Sequence, residues 1–232
     1  DPITFGNIIH LLYEKIIMEN KEALERGKFT IKAEEIESAL DRILDFFEYR
    51  MPKEYMVFYK KISFQEIMKS AGKFLKELTE ELNLKNNVKI YSEEKIKMKT
   101  EKGIYENAYI NGVADLHIQA DDEEILIDYK SGKDNRENEN RAFNQLDYYS
   151  EMLPGKERHR IRKWIINTWS GEKITDEKRK TEEILTEKDI RETVKEYYER
   201  EYCNLGKKKD TYFYRKYKDI CRRADESDER NK

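Results

Sequence analysis

Cysteine is nearly missing from this chain: Cys203 and Cys221 are the only two in 232 residues. Two thiols cannot build a disulfide framework or a four-thiolate metal site, so both are expected to be buried and free, in a reducing cytoplasm. No apolar run is long enough to span a bilayer, and no charged start leads into an apolar stretch as in a secretory leader, so no membrane partner is expected. The phosphate-binding string G-x-x-x-x-G-K-[ST] does not occur, which argues against a P-loop ATPase. Internal repeats and linkers are also missing, and the first residue is Asp1, not Met, as in a piece cut from a longer polypeptide. Nor is there an excess of basic charge. The formal net charge of −3 does not announce a nucleic-acid binder, although positive charge can be concentrated locally.

What the chain does have is charge of both signs, 41% of residues, together with 16 tyrosines and nine phenylalanines, too many aromatics for a disordered chain. Its length suits a single domain with one substantial core. Three stretches carry apolar residues at helical spacing: "ITFGNIIHLLYEKIIMEN", which holds His10, then "IKAEEIESALDRILDFFEYRM" and "SFQEIMKSAGKFLKELTEELNL". In the last, Ser63 and Gln65 read as a helix start and Asn83 as its end. The period then changes to two in "VKIYSEEKIKMKT", "YENAYINGVADLHIQA" and "EEILIDYKS", which predicts an antiparallel meander. "RAFNQLDYYSEML" predicts a helix ending at Pro154-Gly155, "RIRKWIINTWS" a fourth strand, and "TEKDIRETVKEYYEREY" a last helix before a frayed tail. The expected architecture is mixed α/β, one domain over 1–232: a helical part (1–85), a catalytic sheet and helix (86–170), and C-terminal helices and tail (171–232).

The chemistry concentrates in "ADLHIQADDEEILIDYKSGK". Asp115 and Asp128 fall on adjacent strands, roughly 5 Å apart, so two carboxylates on one face can hold a hard cation between them. Lys130 follows Asp128 by two residues and emerges on the same side. The backbone carbonyl of Tyr129 offers another oxygen. Such a set suits phosphodiester cleavage, with a metal stabilising charge and the lysine positioning water or neutralising the phosphorane.

The string "NGVADLHIQADDEEILIDYKSGK", followed by "NQLDYYSEML", resembles the PD-(D/E)XK nuclease motif of the RecB and AddB-type families, where G-x-x-D, D-Y-K-x-G and Q-L-x-x-Y recur in that order. "FGNIIHLLYE" is similar to the family's G-x-x-x-H helix, and "FYRKYKDICRR" to its C-terminal end. The resemblance implies a restriction-endonuclease-like core and a metal-dependent exonuclease acting on DNA in end processing, repair or recombination. It also implies the nuclease end of a larger helicase-nuclease, next to a helicase domain or subunit. Carried over by position, it makes His10, Asp115 and Asp128 metal ligands, with the Tyr129 carbonyl beside them, Lys130 the catalytic lysine, and Mg²⁺ or Mn²⁺ the cation. Gln145 and Tyr149, on one helical face, would contact the scissile strand or orient the lysine, and Gly6 would sit one turn before His10. Many relatives end in cysteines that hold an iron–sulfur cluster. Here Tyr212 and Arg215 stand at two of those places, beside Cys221, so no cluster is expected.

Three positions carry a second reading. His117 is expected to be structural, with substrate contact as the alternative. Glu93 or Glu94 could add a carboxylate to the metal site. The stretches "KERHRIRK" and "KKKDTYFYRKYKDICRR" read either as solvated faces or as a phosphate groove. The alternative to a nuclease is a DNA-binding or scaffolding module that kept the fold and lost catalysis; a third possibility is a phosphoesterase for small substrates.

Overall fold

The structure, a computed structural model, describes residues 2–27, 30–48, 52–99, 109–121, 123–131, 136–154, 160–179 and 184. All of them belong to one compact unit, Asp1–Thr186. The helical part contains α1 (Pro2–Glu19), α2 (Lys21–Glu25), α3 (Ala33–Glu48), α4 (Lys53–Val57) and α5 (Phe64–Leu82). A five-stranded sheet follows: β1 (Lys89–Lys99), β2 (Tyr109–Ala120), β3 (Glu123–Lys130), β4 (Arg160–Asn167) and β5 (Lys173–Thr175), with α6 (Arg136–Met152) between β3 and β4. The spatial order equals the chain order; every neighbouring pair is antiparallel except β3 and β4, which run parallel. The predicted last helix and tail, and with them Cys203, Cys221, Tyr212 and Arg215, lie outside the described residues. Among the described residues no helix is long and apolar enough to cross a membrane.

Helical periodicity accounts for the first layer. Ile8, Ile9, Leu12, Tyr13, Ile16 and Ile17 line one side of α1, and Phe74, Leu75, Leu78 and Leu82 do so on α5; they meet Leu116, Ile118, Ile125, Ile127, Trp164 and Ile166 of the sheet in one core. Each such side chain, fully buried, stabilises the fold by about 1.5–3 kcal/mol. The opposite sheet face, with Leu126 and Ile165, is buried with Ala142, Phe143, Leu146 and Met152 of α6. β3 is therefore covered on both faces, which is why its sequence runs apolar instead of alternating.

Three features differ from the sequence expectation. α5 does start after Ser63, but the hydroxyl makes no capping bond. A π-helical turn (Phe58–Ile62) leads straight into it, and the Ser63 amide donates to the Phe58 carbonyl at 3.0 Å. The short helices α2 and α4 carry too few residues to show a period. The segment 171–232, read as helices and tail, instead opens with β5, whose three residues are likewise below the reach of periodicity.

Candidate active site

Past the Leu116↔Ile127 pair the β2–β3 ladder stops, while β3 stays paired to β4 as far as Lys130↔Asn167. The outgoing end of β3 thus loses one neighbour, and its backbone groups on that side need other partners. Side chains take them. The Tyr129 amide donates to Asp115 Oδ2 at 2.6 Å, and the Tyr129 carbonyl accepts from His10 Nε2 at 3.1 Å. His10 reaches this point because α1 lies hard against the strand end: a Cβ on Gly6, one turn earlier, would sit 2.7 Å from Ser131 Oγ. The predicted glycine is needed for close approach.

His10, Glu93 and Asp115 each bring a ligand atom, and these atoms lie within 4.8 Å of one another. Sequence left Glu93 and Glu94 undecided because a regular strand sends neighbours to opposite faces. The β1–β2 register decides between them, and at Glu93 the backbone is left-handed, with φ 50°. The pairs Ser92↔Leu116 and Glu94↔Ala114 put Glu93 across from Asp115. Residues directly opposite share a sheet face, so Glu93 joins His10 and Asp115, while the Glu94 carboxylate binds His117 Nδ1. A left-handed glutamate in a strand is strained by roughly 1–3 kcal/mol, the kind of outlier that gathers at functional sites.

Lys130 is held from two sides. Its Nζ lies 3.0 and 2.7 Å from the two oxygens of Asp128 and donates to Gln145 Oε1 at 3.3 Å. Gln145 Nε2 in turn donates to the Tyr149 hydroxyl at 2.6 Å, a link between residues four apart on α6. The Tyr149 ring occupies the space where Gly112 has no side chain; a Cβ there would be 2.3 Å from a ring carbon. The glycine of G-x-x-D therefore admits the tyrosine of Q-L-x-x-Y. From the far side Thr168 fixes the Lys130 carbonyl, its amide donating at 2.9 Å and its hydroxyl at 3.3 Å. Nothing in the sequence flagged Thr168, since a threonine after a strand carries no signal of its own.

The structure thus brings His10, Asp115, Asp128, the Tyr129 carbonyl, Lys130, Gln145 and Tyr149 to one end of the sheet, with Asp128 bound to the lysine instead of standing in the group of three donors. His117 is not among the three donors: 1% exposed, it sits between Glu94 and Glu124, at 2.8 Å from the latter. Of the basic stretch "KERHRIRK", Arg162 bridges Glu81 and Glu123 and Lys163 pairs with the buried Asp147, so both are committed to the fold.

Electrostatics say what this end of the sheet is short of. Burial raises the carboxyls of Asp115 and Asp128 above the usual carboxylate range, and Lys130 only partly offsets that. Glu93 is raised as well, by burial and then by Glu14. Burial lowers His10, which keeps the imidazole neutral, the form that ligates metals. The buried Asp128, the half-buried Asp115 and the exposed Glu93, with one lysine among the described residues beside them, fit a divalent cation.

Among curated proteins none matches the chain. The sequence profile of one family, described as the PD-(D/E)XK nuclease superfamily, matches residues 1–223.

Proposed function

Because the chain belongs to the PD-(D/E)XK nuclease superfamily, we propose that it is a deoxyribonuclease that hydrolyses phosphodiester bonds from DNA ends with the help of Mg²⁺ or Mn²⁺. The observation that carries this reading is the gathering of His10, Glu93 and Asp115 at the split end of the sheet, where Asp128 holds Lys130. The cation, when bound, supplies Lewis-acid polarisation of a phosphate oxygen and of water. His10, Glu93, Asp115 and the Tyr129 carbonyl would hold it, and Asp128 adds charge while positioning Lys130. The lysine orients the attacking water and neutralises charge gathering on the phosphate. Gln145, braced by Tyr149, keeps the ammonium from swinging away. Water attacks phosphorus in line and gives up a proton to solvent, the bond to the 3′ oxygen breaks, and that oxygen takes a proton from solvent, leaving a 3′ hydroxyl and a 5′ phosphate.

Work at DNA ends, in repair or recombination and beside a helicase domain or subunit, is the finer part of the proposal. Its support is the order of the RecB-type motifs from Gly6 to Tyr149 in what we read as a single nuclease domain. The test is cleavage of end-labelled linear single- and double-stranded DNA, beside a closed circle, with Mg²⁺, Mn²⁺ or EDTA, by the wild type and Lys130→Ala. Metal-dependent loss of linear DNA alone, abolished in the variant, is expected. Cleavage that survives the variant would mean that the site is misassigned, and cutting of the circle would replace the exonuclease by an endonuclease.

A further inference from the structure

Trp169 belongs to none of the motifs, yet it is mounted at the edge of the site. It lies in the turn that leaves β4, where Asn167 Oδ1 accepts from the amides of Trp169 at 2.8 Å and Ser170 at 3.0 Å. Its indole Nε1 donates to the carbonyl of Ser131, the residue after Lys130, at 2.9 Å. One face of the ring stacks on Phe5 of α1, centroids 3.7 Å apart and planes 5° from parallel. Three separate fastenings hold a ring that is still 42% exposed, whereas its neighbour Phe5 is 2% exposed. Covering Phe5 does not explain an indole: a smaller apolar residue in a surface turn would do so without leaving so much apolar surface in water.

We propose that Trp169 is a base-stacking platform, which takes an unpaired nucleobase of the bound strand next to the phosphate held at Lys130. The inference rests on the nuclease reading above and deepens it. A flat aromatic face stacks any base, and a ring already locked by Phe5, Ser131 and Asn167 gives up little freedom when it does so. Because the indole is tied to the backbone of Ser131, a base on it stands at a fixed offset from Lys130. The platform therefore selects strands whose bases are free to unstack: single strands and frayed ends over intact duplex.

The chain has two tryptophans, and Trp164 is 1% exposed, so a change in emission on binding reports Trp169. The experiment titrates the whole protein, with Ca²⁺ in place of Mg²⁺, with a single-stranded oligonucleotide and with the same backbone made of abasic nucleotides. The normal strand should quench emission and the abasic strand should not. Trp169→Ala should bind the normal strand roughly 5- to 100-fold more weakly, Trp169→Phe should keep most of the affinity, and neither should change binding of the abasic strand. Equal weakening on both strands would assign the ring to the fold and overturn the platform. So would unchanged affinity of Trp169→Ala in a protein that still cuts DNA, which leaves the nuclease reading standing. A wild type that neither binds nor cuts DNA overturns both. If Trp169→Ala does not fold, quenching by the normal against the abasic strand and the Trp169→Phe affinities still decide.

Discussion

Two charged clusters occupy this sheet, and they differ in how their charges balance. Near the β2–β3 turn, Glu81 and Glu123 face Lys85 and Arg162: Arg162 lies 2.7 Å from Glu81 and 3.5 Å from Glu123, and Lys85 contacts both acids. At the other end, among the described residues, Glu93, Asp115 and Asp128 have Lys130 beside them, paired with Asp128, while burial lowers His10 toward its neutral form. Burial acts on both groups of acids in the same sense, yet the outcomes are opposite. In the first, hydrogen bonds from Lys85 and Arg162 outweigh burial and hold Glu81 below its ordinary range. In the second, burial wins and the acids rise. Among the described residues the first cluster has a cation for each acid, whereas the second has room for the cation proposed above.

The largest effect should come from the second cluster. Asp115→Asn still accepts from the Tyr129 amide but removes a charge, and it should lower kcat on DNA by roughly 10²–10³. Calorimetric titration with Mn²⁺ should show the loss of binding directly; full activity would erase the distinction between the two ends. Next in size, Arg162→Met should leave Glu81 short of a partner and destabilise the fold by about 1.5–3 kcal/mol. Urea unfolding measures that loss, and Mn²⁺ affinity should stay unchanged. Gln145→Leu, which removes one of the two holds on Lys130, should cost roughly tenfold in kcat, about 1.4 kcal/mol, with little change in KM.

The smallest effect concerns pH without metal. Asp115 and Asp128 are raised in the folded state, so the native protein binds their protons more tightly than the unfolded chain does. That stability is fully present below 3.8, the ordinary value, and is lost as pH rises through the raised values. Glu81 has the opposite sign: its contribution is present above 4.5 and is lost as pH falls through its lowered value. Metal-free protein should therefore weaken on going from mildly acidic to neutral pH and recover on adding Mn²⁺. Asp115→Asn should raise the metal-free stability at pH 7 by about 1 kcal/mol. Thermal melts across this range, with and without Mn²⁺, check both the slope and its sign.

Where the sequence was readable, the reason is periodicity or spacing. α1, α3, α5 and the first four strands carry enough residues to show a period, and Asp115, Asp128 and Lys130 announce themselves as charges inside apolar strands. Gln145 and Tyr149 sit four apart on a helix, so their link needed no long-range knowledge. Glu93 needed the register of β1 against β2, which no residue pattern encodes. The match of Gly112 to Tyr149 and the grip of Thr168 on Lys130 join residues 37 and 38 apart in sequence. Such pairs become visible only once the strand ladder and the crossover helix are in place.

Among the described strands the one parallel pair, β3 with β4, also ties the site to the crossover. Hairpins such as β1–β2 and β2–β3 close over short distances, but β3 and β4 can meet only after the chain has crossed the sheet through α6. Contacts that distant in sequence pay a loop-closure cost before they return any stabilisation. Lys130 takes its side-chain hold from α6 and its backbone hold from the residue after β4. Asp115 and Asp128 belong to the β2–β3 hairpin, whereas the lysine beside them is fixed also by what comes after it in the chain, so the crossover, and not the hairpin alone, gives Lys130 its place.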